Sequence, residues 1–220
     1  MKPPEFKIRA SSCSLLMGKR GMGKAGETYL TQWAKGQIMG RHAEIKSKFL
    51  DKGNIMEDDA LDMIGKSLGI GLIMKNEKYF ANDFMTGTPD NIQPDFVIDV
   101  KNSWHWETFP MLDSAPDPAY EWQMQVYMEL TGKKLAKVCY ALMDTPDDLI
   151  HREANNYSFY NGYGDCTQEM FESFYKKMTY SDIPEEKRIK IFEVQHDSEK
   201  IALIIERVIE ARKFINGLDF

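Results

Sequence analysis

The chain has 220 residues, 43% of them hydrophobic and 28% charged, which is typical of a folded globular protein and not of a disordered one. No apolar run approaches the roughly 18 to 20 residues that a membrane span needs, and the N-terminus lacks the apolar core of a signal peptide. We therefore expect a cytoplasmic protein with no membrane partner. The three cysteines lack a CxxC spacing, which argues against a disulfide framework or a cysteine-held metal; they are Cys13, Cys139 and Cys166.

The net charge of −6 is unevenly distributed along the chain. Residues 1–52 hold 11 Lys and Arg against 4 Asp and Glu, whereas residues 53–220 hold 17 against 30. A basic segment beside an acidic body is expected if the first contacts phosphates and the second binds divalent cations. An acidic body is also the ordinary state of a soluble protein, so the charge pattern alone does not decide the function.

Hydrophobic periodicity and turn residues predict helices and strands along the whole chain. A glycine-rich basic loop covers residues 18–27. After it, the predicted elements in chain order are helices 28–50 and 53–68, strands 79–88, 95–101 and 104–109, helix 118–131, strand 135–143, strand 188–194 and helix 198–216.

Residues that end helices and strands mark the predicted boundaries in the second half of the chain. Gly132 is a suitable cap for the helix at 118–131, and the strand at 135–143 is stopped by residues 144–146, Asp-Thr-Pro. Residues 150–185 are aromatic without a clear period, and we expect them to be irregular. The last helix is predicted to bury Ile201, Ile204, Ile205, Val208 and Ile209.

No internal repeat or linker interrupts the chain, which predicts a single domain over residues 1–220. Within it we distinguish a basic N-terminal helical segment (1–52), a core (53–145) and a C-terminal extension with a strand and a helix (146–220).

The strand at 95–101 carries the first candidate chemistry. Because neighbouring side chains of a strand alternate, Asp99 and Lys101 share one face. The opposite face is apolar and consists of Phe96, Ile98 and Val100. The alternative interpretation is a half-exposed strand with a surface ion pair.

Two further carboxylates are predicted to approach this strand. Asp90 lies in the turn nine positions before Asp99, although an aspartate in a turn is often only a turn former. Glu57 continues the inward stripe of the helix at 53–68, which predicts a metal or a cationic partner for its buried carboxylate. A structural salt bridge from Glu57 to Lys101 is the alternative. The stripe consists of Leu61, Ile64 and Leu68.

The helix at 118–131 adds polar side chains to an apolar sequence. Tyr120, Gln123 and Tyr127 share one face, and Gln125 is rotated off it. Gln123 is predicted to donate to a phosphate or to the carboxylates that hold a metal, the alternative being a surface glutamine. Gln125 and Tyr127 are predicted to contact DNA.

The glycine-rich loop resembles a nucleotide-binding P-loop but lacks the required hydroxyl, because Ala25 stands where Ser or Thr must reach Mg²⁺. We interpret it as a basic loop that contacts the DNA backbone through Lys19, Arg20 and Lys24. An ordinary surface loop is the alternative.

Other chemically capable residues are interpreted as structural. The histidines have no metal-ligand spacing; they are His42, His105, His151 and His196. The aromatic residues at 104–109 could stack on an unpaired base, but core or subunit contacts are favoured; they are Trp104, Trp106 and Phe109.

Four short motifs in this order resemble the PD-(D/E)XK nucleases, and within them the phage lambda exonuclease and YqaJ-type viral recombinase branch. The resemblance covers roughly residues 5–145 and has Asp in place of Glu before x-Lys, which the family pattern allows. The motifs are Gly53-x-x-x-Glu57, Pro89-Asp90, Asp99-x-Lys101 and Gln123-x-x-x-Tyr127.

The resemblance implies an α/β (α+β) fold with a restriction-endonuclease-like αβββαβ core, a central mixed sheet and flanking helices. It implies that one or two Mg²⁺ or Mn²⁺ ions are held by Glu57, Asp90, Asp99 and the carbonyl of Val100. Lys101 would assist the attacking water during in-line hydrolysis of a phosphodiester.

The resemblance also implies a DNA exonuclease that digests linear duplex ends 5′→3′ and leaves single-stranded tails. A ring-like homo-oligomer and a single-strand annealing protein as partner are further implications. Arg9 and the hydroxyls of Ser11 and Ser12 are similar to a motif that holds a terminal 5′ phosphate, and Thr88 is predicted to assist them. Alternatively, Arg9 pairs with a surface acid and Ser11 caps a helix.

Two other functions on the same fold stay open at this point. One is a structure-specific or restriction-type endonuclease, because the position of the cut depends on the shape of the channel. The other is a catalytically silent DNA-binding module.

Overall fold

A computed structural model describes residues 3–41 and 48–219, except for the side chain of Leu50. The predicted helix 28–50 is wrong in its bounds, because the helix begins at Gly23, inside the expected loop 18–27, and ends at Met39, where Gly40 adopts φ 58°. Residues 48–50 belong to a separate helix, and His42 lies outside the described residues. Single 3-10 turns or short 3-10 helices occur at Ala10–Leu16, Trp106–Thr108 and Glu185–Lys187. The other elements are β1 (Ile8–Arg9), α1 (Gly23–Met39), α2 (Lys48–Ile55), α3 (Glu57–Ser67), β2 (Phe80–Ala81), β3 (Met85–Gly87), β4 (Asn91–Ile92), β5 (Phe96–Asn102), α4 (Pro118–Thr131), β6 (Leu135–Ala141), α5 (Asp147–Tyr160), α6 (Gln168–Met178), β7 (Ile189–Gln195) and α7 (Ser198–Asn216).

A four-stranded mixed sheet with the order β4-β5-β6-β7 forms the centre of the fold. β5 pairs in parallel with β6, with Asp99 opposite Val138, while β4 and β7 are antiparallel to their neighbours. The parallel pair needs a crossover connection, which α4 supplies. A smaller sheet joins β1 in parallel to β3 and β2 antiparallel to β3. The predicted mixed α/β fold with a central sheet and flanking helices is therefore confirmed.

The two faces of β5 pack against different helices. Val97 lies in the larger core cluster with residues of α4 and α7, and Ile98 lies in the smaller cluster with Leu61 and Ile64 of α3. This alternation agrees with the period-2 pattern. It places Asp99 on the face that is covered by α4.

α2 is attached to the end of β5 by a buried lysine. Lys52, only 1% exposed, donates from Nζ to the carbonyl oxygens of Ser103 (3.0 Å) and Trp104 (3.2 Å). The third contact, from Asn102 Nδ2 to the carbonyl of Gly53 at 3.4 Å, closes the same junction. Helix α2 thus forms a wall beside the C-terminal end of β5.

The predicted helices at 118–131 and 198–216 are confirmed at both ends, and Gly132 caps the first of them in the left-handed conformation (φ 73°). The buried side of α7 is narrower than expected, since Ile209 is 41% exposed. The helix predicted at 53–68 is instead two helices, because Met56 (φ −97°, ψ 7°) leaves helical geometry. Glu57 therefore opens α3, where carboxylates are favoured by the free N–H groups.

Other regions were also predicted wrongly. The expected strand at 104–109 contains a 3-10 turn, because Trp104 is buried under α5 in an apolar cluster with Leu149 and Ile150. Residues 150–185, expected to be irregular, include most of α5 and all of α6. Their periodicity was hidden by large aromatic side chains on the exposed faces: Tyr157, Phe159, Tyr160 and Tyr175.

The expected strand 79–88 is a tight hairpin of β2 and β3. Asn82 Oδ1 accepts hydrogen bonds from the N–H groups of Phe84 and Met85 at 2.8 Å each, and the chain reverses there.

Among the residues that the structure describes, no helix combines the length and the apolar character of a membrane span.

Candidate functional site

A cavity of about 600 Å³ lies where α2, α3, α4 and the end of β5 meet. It brings together nine of the residues predicted from the sequence. They are Arg9, Ser11, Glu57, Asp90, Asp99, Val100, Lys101, Gln123 and Tyr127.

A buried Asp99 and a half-buried Lys101 form an ion pair in this cavity. Asp99 is 1% exposed, and its Oδ2 lies 2.6 Å from Lys101 Nζ. Gln123 Nε2 donates to Asp99 Oδ1 at 3.0 Å and to Tyr127 Oη at 2.9 Å, while Lys101 Nζ donates to Gln123 Oε1 at 3.4 Å. The alternative interpretations of a surface ion pair and a surface glutamine are therefore wrong.

Asp90 is attached to the same strand. Its Oδ2 accepts the N–H of Val100 at 2.7 Å, so the turn carboxylate lies beside Asp99. Burial, followed by the charge of Asp99, raises the pKa of Asp90 to about 8, against the opposing effects of the Val100 N–H and Lys101. Burial also raises the pKa of Asp99, although Lys101 opposes this shift. When both are ionised, the two carboxylates carry more negative charge than the one ammonium balances, which adds to the effect of burial in raising the pKa of Asp90.

Lys101 is held as a cation. Burial by itself lowers the pKa of Lys101, but the carboxylates of Asp99 and Asp90 outweigh it and the net pKa is raised. The ammonium also lies 4.4 Å from the ring centre of Tyr120, a distance at which the face of an aromatic ring attracts a cation. Lys101 is therefore suited to donate hydrogen bonds and offset negative charge, and it is poorly suited to accept a proton.

Glu57 is paired with a lysine that the sequence analysis did not select. Glu57 Oε2 lies 2.5 Å from Nζ of Lys75, and the side chain of Glu57 is 16% exposed. A metal or a cationic partner was predicted for Glu57. The alternative, a salt bridge to Lys101, named the wrong lysine, because the partner is Lys75. Lys75 lies in the loop after α3, 18 positions along the chain, and no local pattern marks it.

The donor set fits a hard divalent cation. Asp99 Oδ2 is buried and, within the described part of the chain, makes no hydrogen bond of good geometry although Lys101 is close. Asp90 and Asp99 offer carboxylate oxygens in a place where added positive charge would relieve their repulsion. No group of three His, Cys, Asp or Glu side chains among the described residues is close enough to form a complete metal site.

The predicted phosphate-binding residues divide into two groups. Arg9 and Ser11 line the cavity, whereas Ser12 is hydrogen-bonded to Tyr29, and Thr88 is exposed outside the cavity lining. The residues of the basic loop are also exposed outside it: Lys19, Arg20 and Lys24. This loop follows a 3-10 helix and not a strand, which agrees with the rejection of a P-loop.

Gln125 does not reach the cavity, which corrects its predicted contact with DNA. The residue has no exposed surface. Its Nε2 donates to the carbonyl of Gln195 at 2.8 Å, and its Oε1 accepts the N–H of Asp197 at 2.9 Å. Gln125 therefore joins α4 to the turn between β7 and α7.

Two asparagines that no sequence pattern marked also line the cavity, Asn54 and Asn102. Asn102 is the last residue of β5 and touches α2. Its position at the end of the strand that carries Asp99 was the one available signal.

No protein-family model and no curated protein sequence matches the chain. Solved structures do match it. A phage-related exonuclease from Haemophilus somnus 129PT is similar with 26% sequence identity and a TM-score of 0.79, over 97% of this chain and 95% of that chain.

The alkaline exonuclease LHK-Exo from Laribacter hongkongensis is similar with 16% identity and a TM-score of 0.68, over 96% of this chain and 88% of that chain. A second structure of LHK-Exo, in complex with dAMP, matches equally well. At 16% identity this likeness shows the fold alone. The protein has the mixed α/β fold of these solved exonucleases.

Proposed function

We propose that the protein is a divalent-metal-dependent DNA exonuclease of the phage recombination type, with a PD-(D/E)XK site, acting in the host cytoplasm. The observation that carries this proposal is the meeting of Asp90, Asp99, Lys101 and Gln123 in one cavity. The similarity of nearly the whole chain to a phage-related exonuclease supports it independently.

The cofactor in this proposal is Mg²⁺ or Mn²⁺, as one or two ions. Asp90, Asp99, Glu57 and the carbonyl of Val100 would hold the metal, since hard cations prefer oxygen ligands. When bound, the ion supplies Lewis-acid activation and neutralises charge on the scissile phosphate.

The protein's own residues position the reactants. Lys101, a half-buried cation, orients the attacking water and offsets the negative charge that grows on the phosphate. Gln123 holds the orientation of Asp99 and bridges it to Lys101 and Tyr127. Lys101, Gln123 and Asp99 are therefore aligned before the substrate binds, which lowers the free energy of reorganisation during the reaction.

Arg9 and Ser11 are proposed to bind the 5′ phosphate of a duplex end, because they line the same cavity as the carboxylates. The planar guanidinium matches a phosphate dianion, and a hydroxyl adds a neutral donor. Each cut would leave a new 5′ phosphate for the same place, which favours 5′→3′ digestion and leaves single-stranded tails. A single-strand annealing protein as partner and a ring-like homo-oligomer are part of this proposal.

The test compares linear 5′-phosphorylated, linear 5′-hydroxyl, nicked and closed circular duplexes in Mg²⁺, with end-labelled products separated by size. We expect stepwise digestion of the 5′-phosphorylated linear duplex and no cutting of closed circles. Arg9→Ala should remove most of the rate difference between the two linear duplexes. Cutting of closed circles would favour the endonuclease, and binding without cutting would favour the silent module.

A further inference from the structure

The loop that follows α3, residues 70–78, runs back along this helix towards Glu57. A Cβ atom at Gly65 of α3 would lie 2.1 Å from the carbonyl oxygen of Gly71, so the loop and the helix are in close contact. Ile70 donates its N–H to the carbonyl of Gly65 at 3.1 Å, and Ile73 is buried against α3. The path of this loop is therefore determined by packing on α3.

The same loop is hydrogen-bonded to the turn that carries Asp90. Asn76 donates its backbone N–H to the carbonyl of Asp90 at 2.7 Å and its Nδ2 to the carbonyl of Pro89 at 2.9 Å. Asn91 Nδ2 donates to the carbonyl of Met74 at 2.8 Å. The residues on both sides of Lys75 are thus attached to the residues on both sides of Asp90.

This arrangement brings the ammonium of Lys75 to Glu57, which lines the cavity. Lys75 Nζ lies 2.5 Å from Glu57 Oε2, and the charges of Asp90 and Asp58 also act on it. Lys75 remains 47% exposed, so its flexible side chain can leave Glu57 without breaking the packing of the loop. A positive charge therefore already pairs with the Glu57 carboxylate that the proposed metal would need.

We infer that Lys75 is a positioning residue that holds Glu57 in the metal-free protein and competes with the divalent ion for its carboxylate. Glu57 becomes a ligand only when Lys75 is released. This inference rests on the proposed metal-dependent function. It accounts for the pairing of Glu57 with Lys75 although Glu57 lines the same cavity as Asp90 and Asp99.

The test is a calorimetric titration of the full chain with Mn²⁺ in the absence of DNA. Removing the ammonium in Lys75→Gln, or in Lys75→Met as a second variant, should tighten Mn²⁺ binding by about two- to fivefold, the range expected for a partly exposed ion pair. Lys75→Arg keeps the charge and should bind Mn²⁺ like the wild type. The matched control is Lys78→Gln in the same loop, because the Lys78 ammonium lies over the ring of Phe80.

Unchanged or weaker Mn²⁺ binding in both neutral Lys75 variants would overturn the inference. Equal tightening in the Lys78 variant would overturn it too, because the effect would then be one of general charge. A wild-type protein that binds Mn²⁺ normally while the Lys75 variants do not differ contradicts this inference alone. A wild-type protein that binds no Mn²⁺ contradicts the metal dependence of the proposed function and the inference with it.

Discussion

Lys101 is the residue whose surroundings say most about the chemistry of the site. Its ammonium is enclosed by Asp99, Gln123 and the ring of Tyr120, and its pKa is raised. A lysine that stays charged cannot remove a proton from water. The geometry supports a role in orientation and charge stabilisation at the transition state.

Lys101→Ala and Asp99→Ala should each lower kcat on linear duplex DNA by at least about 10²-fold, since both groups act where charge develops. The affinity of Lys101→Ala for DNA in Ca²⁺ should change little. Lys137→Ala is the matched control, because Lys137 lies on the neighbouring strand β6 and pairs with Glu193. A Lys101→Ala enzyme with nearly wild-type kcat would remove this residue from the mechanism.

Asp90 makes the stability of the metal-free protein depend on pH. The folded protein raises the pKa of this carboxyl from 3.8 to about 8, so it favours the protonated form. The stabilising contribution is complete below the unfolded pKa and is lost as the pH rises through the folded pKa. In EDTA, the free energy of unfolding should fall between about pH 4 and pH 8.

Urea unfolding at several pH values in EDTA measures this effect. Asp90→Asn, a neutral side chain of the same shape, should lose most of the decline. Its stability relative to the wild type should therefore improve towards pH 8. An identical pH dependence in the two proteins would show that Asp90 is not the responsible group.

At the scale of elements, the contact between α3 and the 70–78 loop links two of the acidic residues of the site. The loop carries Lys75 to Glu57 and Asn76 to the turn of Asp90. Gly65 permits this contact because it lacks a side chain. The placement of Glu57 relative to Asp90 therefore depends on one glycine of α3 that is remote in sequence from Asp90.

Gly65→Ala should destabilise the protein by about 1–3 kcal/mol, because the added Cβ meets the backbone of Gly71 and the side chain of Ile73. The matched control is Gly53→Ala in α2, where nothing lies within 4 Å of the added atom. Alanine is the better helix former, so this control should be neutral or slightly stabilising. Urea denaturation measures the free energy of unfolding of both variants. Equal values for Gly65→Ala and Gly53→Ala would contradict the close contact of α3 with the loop.

At the scale of the whole molecule, the uneven distribution of charge predicts where the DNA backbone lies. Lys19 and Arg20 are exposed before α1, and Lys24 is exposed in the first turn of this helix. Arg9 of the same N-terminal region lines the cavity. A phosphate chain that runs from the cavity along this region would meet Lys19, Arg20 and Lys24. Contacts of this kind release counterions and make binding sensitive to salt.

The triple change of Lys19, Arg20 and Lys24 to alanine should flatten the dependence of log K on log salt by up to about one unit per lost contact. Binding is measured in Ca²⁺ on linear duplex over a range of salt concentrations. The control is a triple change of Lys66, Lys187 and Lys213 to alanine. It removes the same charge at exposed residues elsewhere on the surface. Equal slopes in the basic-loop triple and the wild type would make that loop an ordinary surface loop.

Periodicity and capping residues in the sequence by themselves predicted helices α4 and α7, because both are local properties of the chain. The resemblance of its motifs to a nuclease family implied the mixed α/β fold and most of the residues that meet in the cavity. Only the tertiary structure decided the state of these residues. The burial of Asp99, the pairing of Glu57 with Lys75 and the removal of Gln125 from the site depend on contacts between residues far apart in the chain. Helices α5 and α6 were missed for a related reason, since exposed aromatic residues conceal which face is buried until the packing is known.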